Sequence, residues 1–223
     1  MQFIKTDSVV GEIFHFQQQH WHLLPQRAIF WEEEKTLIVS DMHLGKAAHF
    51  RKAGIAVPAG IEQEDLFRLQ QLITRYLPQR IIIVGDMFHS TENNDVQYFR
   101  VWRQQFANIF INLVKGNHDI MPDEVYEQLQ IQVNTTLTIS GIHFIHEPCE
   151  DHNGFQYTFS GHFHPAFVMQ GAGKQRLRLP CFYFGPHCGI LPAFGHFTGS
   201  ATLDPAADDP VFVIAGKSII RAQ

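Results

Sequence analysis

Short, unbroken apolar runs recur through the first half of the chain, and each stops at a residue able to bind a metal. "TLIVS" (36–40) stops at Asp41, "RIIIVGD" (80–86) at Asp86, and "IFINLVKGNHD" (109–119) at Asn117, His118 and Asp119. Runs so short and so uniformly apolar suit strands buried on both faces. Between the first two, residues 62–77 place apolar side chains at 66, 69, 72, 73 and 77, a helical period. Residues 94–108, between the second and third, also read as helix. The resulting β-α-β-α-β order predicts a parallel sheet with crossover helices. Ahead of it, the first 31 residues alternate apolar and polar positions ("VVGEIFHF", "RAIFW") and predict one or two antiparallel strands.

The pattern changes after a short helix expected near 123–129. Strands are predicted at 131–140, 142–146, 155–161, 166–170, 176–184, 195–203 and 210–220, with turns such as Ser140-Gly141 and Gly171–Gly173 between them. These form a second, antiparallel or mixed sheet. The expected fold is therefore α/β, two packed sheets flanked by helices. Neither a repeat nor a linker divides the chain, so a single domain over 1–223 is expected.

Composition narrows the classes. Hydrophobic residues are 45% and charged residues 17%, enough for a substantial core and unlike a disordered chain. No apolar run approaches the roughly 20 residues of a membrane span, and the start lacks the charged-then-apolar order of a signal peptide. Cys149, Cys181 and Cys188 give an odd count without a CxxC pair, so a reducing cytoplasm is expected. The net charge of −5 argues against nucleic-acid binding by bulk electrostatics alone. Bound divalent ions would reverse that sign locally. There are 14 histidines, which raises the question of how many are ligands.

The strand ends answer part of it. Asp41 and His43 follow the first run, Asp86 the second, and Asn117, His118 and Asp119 the third. His146 ends a strand of the second half, and "SGHFHP" (160–165) supplies His162 and His164. In open α/β sheets, sites form outside the carboxyl ends of strands, so these residues are expected to converge on one edge. Carboxylates, imidazoles and an amide suit Mn, Fe, Zn or Mg rather than a thiolate site, which leaves Cys149 out of the ligand set. A carboxylate such as Asp86 can bridge two cations. A pair of them about 3.5–4 Å apart can activate water and clamp a phosphoryl group.

The ordered set Asp41-x-His43, Gly85-Asp86, Gly116-Asn117-His118-Asp119, His146 and Gly161-His162-x-His164 resembles the calcineurin-like metallophosphoesterase superfamily. The resemblance implies a four-layer α/β/β/α sandwich of two mixed sheets flanked by helices. It implies one ion on Asp41, His43, Asp86 and His164, and a second on Asp86, Asn117, His146 and His162, with Asp86 and a hydroxide bridging. His118 would then face the scissile phosphate and stabilise charge or protonate the leaving alkoxide, and Asp119 would orient His118. Met87-Phe88-His89 stands where many phosphoprotein phosphatases have Asp-Arg-Gly. His118 stands where lipid-A-pathway hydrolases have arginine. Segments 37–60 and 179–199 are similar to the bacterial ligase-associated DNA-damage-response endonuclease family (PdeM), a likeness that spans almost the whole chain. It implies a Mn-dependent phosphoesterase acting on DNA or RNA, associated with an ATP-dependent DNA ligase and a helicase. That family is expected to carry arginine where His187 stands, which leaves a phosphate contact there in question.

The remaining polar residues have plainer readings. His20 and His22 flank Trp21 in an expected surface loop. His15, His143 and His196 are expected to be packed or edge residues of strands, and His152 and His187 lie near loops. His89 sits near the rim, where a substrate contact is an alternative. His49, Lys46, Arg51 and Lys52 form either a basic lip for a phosphodiester backbone or a solvated helix face. Lys174, Arg176 and Arg178 alternate along a hairpin and either track a nucleic acid or guard a sheet edge. Asp119 could instead cap the helix that follows. Two other functions fit the same residues: a phosphodiesterase or phosphatase on a small nucleotide or metabolite, and a metal-binding scaffold for repair partners.

Overall fold

The computed structural model describes residues 11–46, 50–51, 54, 61–89, 94–148, 154–171, 173 and 175–223. Strands β1 (Glu12–Phe16), β2 (Gln19–Leu24) and β3 (Ala28–Trp31) form an antiparallel meander leading into β4 (Thr36–Ser40). From there β4, β5 (Arg80–Val84), β6 (Phe110–Val114) and β7 (Ile131–Asn134) pair in parallel. Helices α1 (Ile61–Tyr76) and α2 (Asn94–Gln104) make the crossovers, and α3 (Asp123–Gln128) precedes β7. The apolar runs are continuous because both faces are covered. Leu37, Val39, Ile81 and Ile83 pack with the helices, whereas Ile38, Ile82 and Val84 pack against the second sheet. This is the period-two alternation of a strand applied to two cores.

The second sheet comprises β8 (Leu137–Ile139), β9 (Ile142–Phe144), β10 (Tyr157–Ser160), β11 (Pro165–Gln170), β12 (Arg176–Phe184), β13 (Cys188–Ile190), β14 (Ala201–Thr202), β15 (Val211–Ala215) and β16 (Ser218–Arg221). Its order is β14-β11-β12-β13-β10-β9-β8, with β15 added to β12 and β16 to β15. Here β9, β10 and β13 run parallel. Much of the aromatic stock fills the space between the sheets: Trp21 and Trp31 meet Phe144, Phe159, Phe184 and Phe212 in one buried cluster. The chain thus forms two mixed sheets packed face to face and flanked by helices, and α1–α3 supply the helical layer on the seven-stranded sheet. No helix among the described residues is long and apolar enough to cross a membrane.

Several boundaries differ from the sequence reading. The N-terminal part makes three strands, because Gln17 and Gln18 turn the chain with φ of 52° and 59° and no glycine announces the hairpin. Leu77 does not complete the buried stripe of α1. It ends the helix in a left-handed conformation (φ 47°) and is 74% exposed. Helix α2 stops at Gln104, not 108, because the buried Arg103 guanidinium bonds the carbonyls of Leu129 (3.2 Å), Ile109 (2.9 Å) and Phe106. The run 131–140 splits into β7 and β8, which belong to different sheets, and 210–220 folds back at Gly216. Only Ala201–Thr202 of the expected strand 195–203 is extended, and β13 was not foreseen. His20 and His22 lie in β2 rather than a loop, facing Glu33 and Glu32. His196 lies in a loop, with Nδ1 2.7 Å from Asp65.

Candidate metal centre

The parallel strands β4, β5 and β6 end together, and the loops that follow stay laced to one another. Asp41 N–H bonds Gly85 O (3.1 Å), His43 N–H bonds Asp86 O (2.8 Å), and Leu44 N–H bonds Met87 O (2.9 Å). The second sheet joins at the same edge, where Phe194 N–H bonds Ser40 O (2.7 Å) and Gly161 N–H bonds His146 O (3.0 Å). The result brings all seven ligand candidates of the sequence into one place as two groups. Donor atoms of Asp41, His43 and His164 lie within 4.8 Å of one another, as do those of Asp86, His146 and His162. Asn117 joins the second group, its Oδ1 3.1 Å from His146 Nε2. That same Nε2 lies 3.1 Å from His162 Nδ1. Asp86 links the groups: Oδ2 is 3.8 Å from His43 Nε2, and Oδ1 is 3.5 Å from His146 Nε2.

Backbone conformation aims these side chains. Asp41, His43, Asp86, His162 and His164 all have φ between 48° and 62°. Left-handed backbone costs an L-residue roughly 1–2 kcal/mol, and such outliers gather at functional sites. The strain turns each side chain out of the strand path and into the shared space. Gly85 is needed for a second reason. Its φ is 76°, and a Cβ there would lie 1.8 Å from His146 Nδ1. Gly85→Ala is therefore expected to displace His146. Calorimetric titration with Mn should then show one strong site lost or weakened at least tenfold, with the other kept.

The donor set fits divalent cations. Asp41 is 0% and Asp86 2% exposed, and among the described residues no lysine or arginine lies within ion-pair distance of either. Two buried carboxylates without such a partner call for another positive charge. Both ring nitrogens of His43 are buried without a hydrogen-bond partner. Burial, reinforced by Lys46, His164 and His118, pushes the His43 pKa down to about 2, so its imidazole is neutral and open to a cation. Second-layer bonds orient the donors: His164 Nδ1 lies 3.1 Å from Gly199 O, and the Asp41 carboxylate accepts the His162 N–H at 3.1 Å.

His118 stands beside both groups without joining either. Its N–H donates to Asp86 Oδ1 (2.9 Å), and its half-buried ring is 5.4 Å from that of His43. His89 is brought in too, its ring 5.1 Å from His118 and 5.7 Å from His43. Its position three residues after Asp86 was the only sequence signal for that.

Asp119 is placed differently from the expectation that it orients His118. Its Oδ1 accepts the N–H of Met87 (2.9 Å), and its Oδ2 accepts that of Gly116 (2.9 Å), so both oxygens are engaged by backbone. It does not cap α3 either, whose N-cap is Pro122. It ties the Asp86 loop to the Asn117–His118 loop. Burial raises its pKa, against the pull of those backbone bonds. Asp119→Ala removes the acceptor of three backbone N–H groups, those of Met87, Phe88 and Gly116, and is expected to cost roughly 2–4 kcal/mol in urea unfolding.

Burial lowers the Lys46 pKa, and Asp86 and Asp41 are close enough to oppose that shift, so it belongs to this edge. Arg51 is exposed, while His49 and Lys52 fall outside the described residues, as do Cys149, His152 and Lys174. Arg176 and Arg178 lie exposed on the part of β12 that pairs with β11. His187 precedes β13, which runs parallel to β10. It therefore sits at the end of the sheet opposite His162, away from the candidate centre.

The calcineurin-like phosphoesterase model matches residues 34–164, which contain every residue of both groups. Among solved structures, the Pseudomonas putida nuclease MPE is 29% identical, with a TM-score of 0.80 over 95% of this chain and 99% of that one. The phosphoesterase Yfce from E. coli is 14% identical, with a TM-score of 0.43 over 83% of this chain and 96% of that one. No curated protein sequence matches the chain.

Proposed function

The chain belongs to the calcineurin-like phosphoesterase family, and from that premise we propose that it is a binuclear metal-dependent phosphodiesterase that cleaves nucleic acid. The observation that carries this reading is the pair of three-residue donor groups linked through Asp86, with His118 beside them. Asp41, His43, Asp86 and His164 would hold one divalent ion, and Asp86, Asn117, His146 and His162 the other. When bound, such ions lower the pKa of water and neutralise charge on phosphoryl oxygens. His118, anchored through its N–H but free at the ring to face a substrate, gives a proton to the leaving oxygen. Asp119 keeps the two loops, and hence Asp86 and His118, in register. Lys46 adds positive charge at the mouth.

A phosphodiester polymer is favoured over a small ester by the likeness to a structure described as a nuclease, which extends over nearly both chains. Mn as the resident ion, a repair setting in the cytoplasm, and association with an ATP-dependent DNA ligase and a helicase complete the proposal. The test is turnover of bis(p-nitrophenyl) phosphate with Mn, followed by single-stranded DNA, duplex DNA, RNA and cyclic nucleotides. Hydrolysis of the aryl diester and of at least one polymer, both stopped by a chelator, is the expected result. Rapid turnover of a cyclic nucleotide with every polymer left intact would favour a small-molecule enzyme instead.

A further inference from the structure

A cleft begins beside His164. A small cavity of about 70 Å³ is lined by His164, Thr198, Ser200, Arg27 and Pro180. Arg27 and Pro180 also line a larger one of about 590 Å³, whose walls include Arg68, His196 and Lys217. Arg27 thus stands between a candidate ligand and the larger cleft.

The cleft is basic in a chain whose net charge is −5. Arg27, Arg68 and Lys217 bring positive charge to it, and among the described residues no carboxylate lines it. Asp65 lies behind, 2.9 Å from Arg68 and 2.7 Å from His196. Asp65 and Glu64 both act on Arg68, and Arg27 opposes them. Burial lowers the pKa of both arginines, that of Arg68 to about 10, against the pull of Asp65.

Arg27 is held with care. Its own backbone is left-handed (φ 64°). Nη1 donates to Ala193 O (3.3 Å) and Gly195 O (3.2 Å), and Gly195 N–H in turn bonds Asp41 O (3.2 Å). Among the described residues Nε and Nη2 have no hydrogen-bond partner, so a guanidinium edge is left for a ligand. Arginine edges of this kind bind phosphate oxygens in pairs.

We propose that this cleft is a subsite for a phosphate flanking the scissile one on a nucleic-acid strand, with Arg27 as its contact nearest the metal centre. It rests on the phosphodiesterase reading and adds the direction in which the strand leaves the centre. Bis(p-nitrophenyl) phosphate has no flanking phosphate and cannot use the subsite. The test is the ratio of kcat/KM on a single-stranded oligonucleotide to kcat/KM on bis(p-nitrophenyl) phosphate, with Mn. Arg27→Gln should lower that ratio about tenfold, the loss of one charge-assisted contact. It should also reduce the salt slope of oligonucleotide cleavage by about one. Lys217→Glu, in the β15–β16 turn, should lower the ratio as well without touching the 193–195 segment. An unchanged ratio in both variants, or an equal fall on both substrates, overturns the subsite while leaving the phosphodiesterase reading intact. A wild-type protein that hydrolyses the aryl diester but no oligonucleotide removes the nucleic-acid reading itself, and the subsite with it.

Discussion

Asp86→Asn should lower turnover of bis(p-nitrophenyl) phosphate by about 10²–10³, and should reduce Mn content at both donor groups. The substitution is nearly isosteric, and an asparagine oxygen can still accept the His118 N–H that Asp86 Oδ1 takes at 2.9 Å. The fold should therefore survive, as thermal melting would show. What disappears is one of two buried negative charges, on the carboxylate whose oxygens approach His43 at 3.8 Å and His146 at 3.5 Å. A bridging group serves two cations, so its loss should weaken both. A variant that keeps two ions and full activity would show that Asp86 is not shared.

The second large effect belongs to His118→Ala. Loss of a general acid lowers the rate by about 10²–10⁴, and Mn content should stay at the wild-type level because His118 lies outside both donor groups. The size should depend on the leaving group. A nitrophenolate departs without a proton, whereas the alkoxide of a nucleotide needs one. The fall should accordingly be steeper on an oligonucleotide than on the aryl diester. A fall of equal size on both would assign His118 to charge stabilisation of the phosphoryl group. Loss of metal together with activity would mean that it is structural.

The parts of this site that the sequence displayed are those governed by short-range pattern. A buried parallel strand announces itself as a continuous apolar run, and the residue that breaks the run marks the carboxyl edge. Asp41, Asp86 and Asn117 were legible for that reason, and their convergence follows from parallel pairing. His146 and His162 were legible in the same way, at the ends of neighbouring parallel strands. What remained hidden depends on contacts distant in sequence. The left-handed backbone at His43 or Asp86 has no signature, because aspartate and histidine tolerate it without the glycine that would advertise it. Asp119 looked like a partner for its neighbour His118, yet its oxygens are satisfied 31 and 32 residues back and at Gly116. Arg27 reads by sequence as the start of the strand stretch "RAIFW", and its bonds to carbonyls 166 and 168 residues away appear only in three dimensions. Likewise, nothing local in 131–140 says that β7 and β8 join different sheets.

Whether Asp86 joins two metal sites is decided by anomalous diffraction from crystals grown with Mn. Two peaks about 3.5–4 Å apart are expected, one beside Asp41, His43 and His164 and the other beside Asn117, His146 and His162, with Asp86 between them. A single peak, or a pair of peaks that leaves Asp86 unbound, would contradict the bridging role of Asp86.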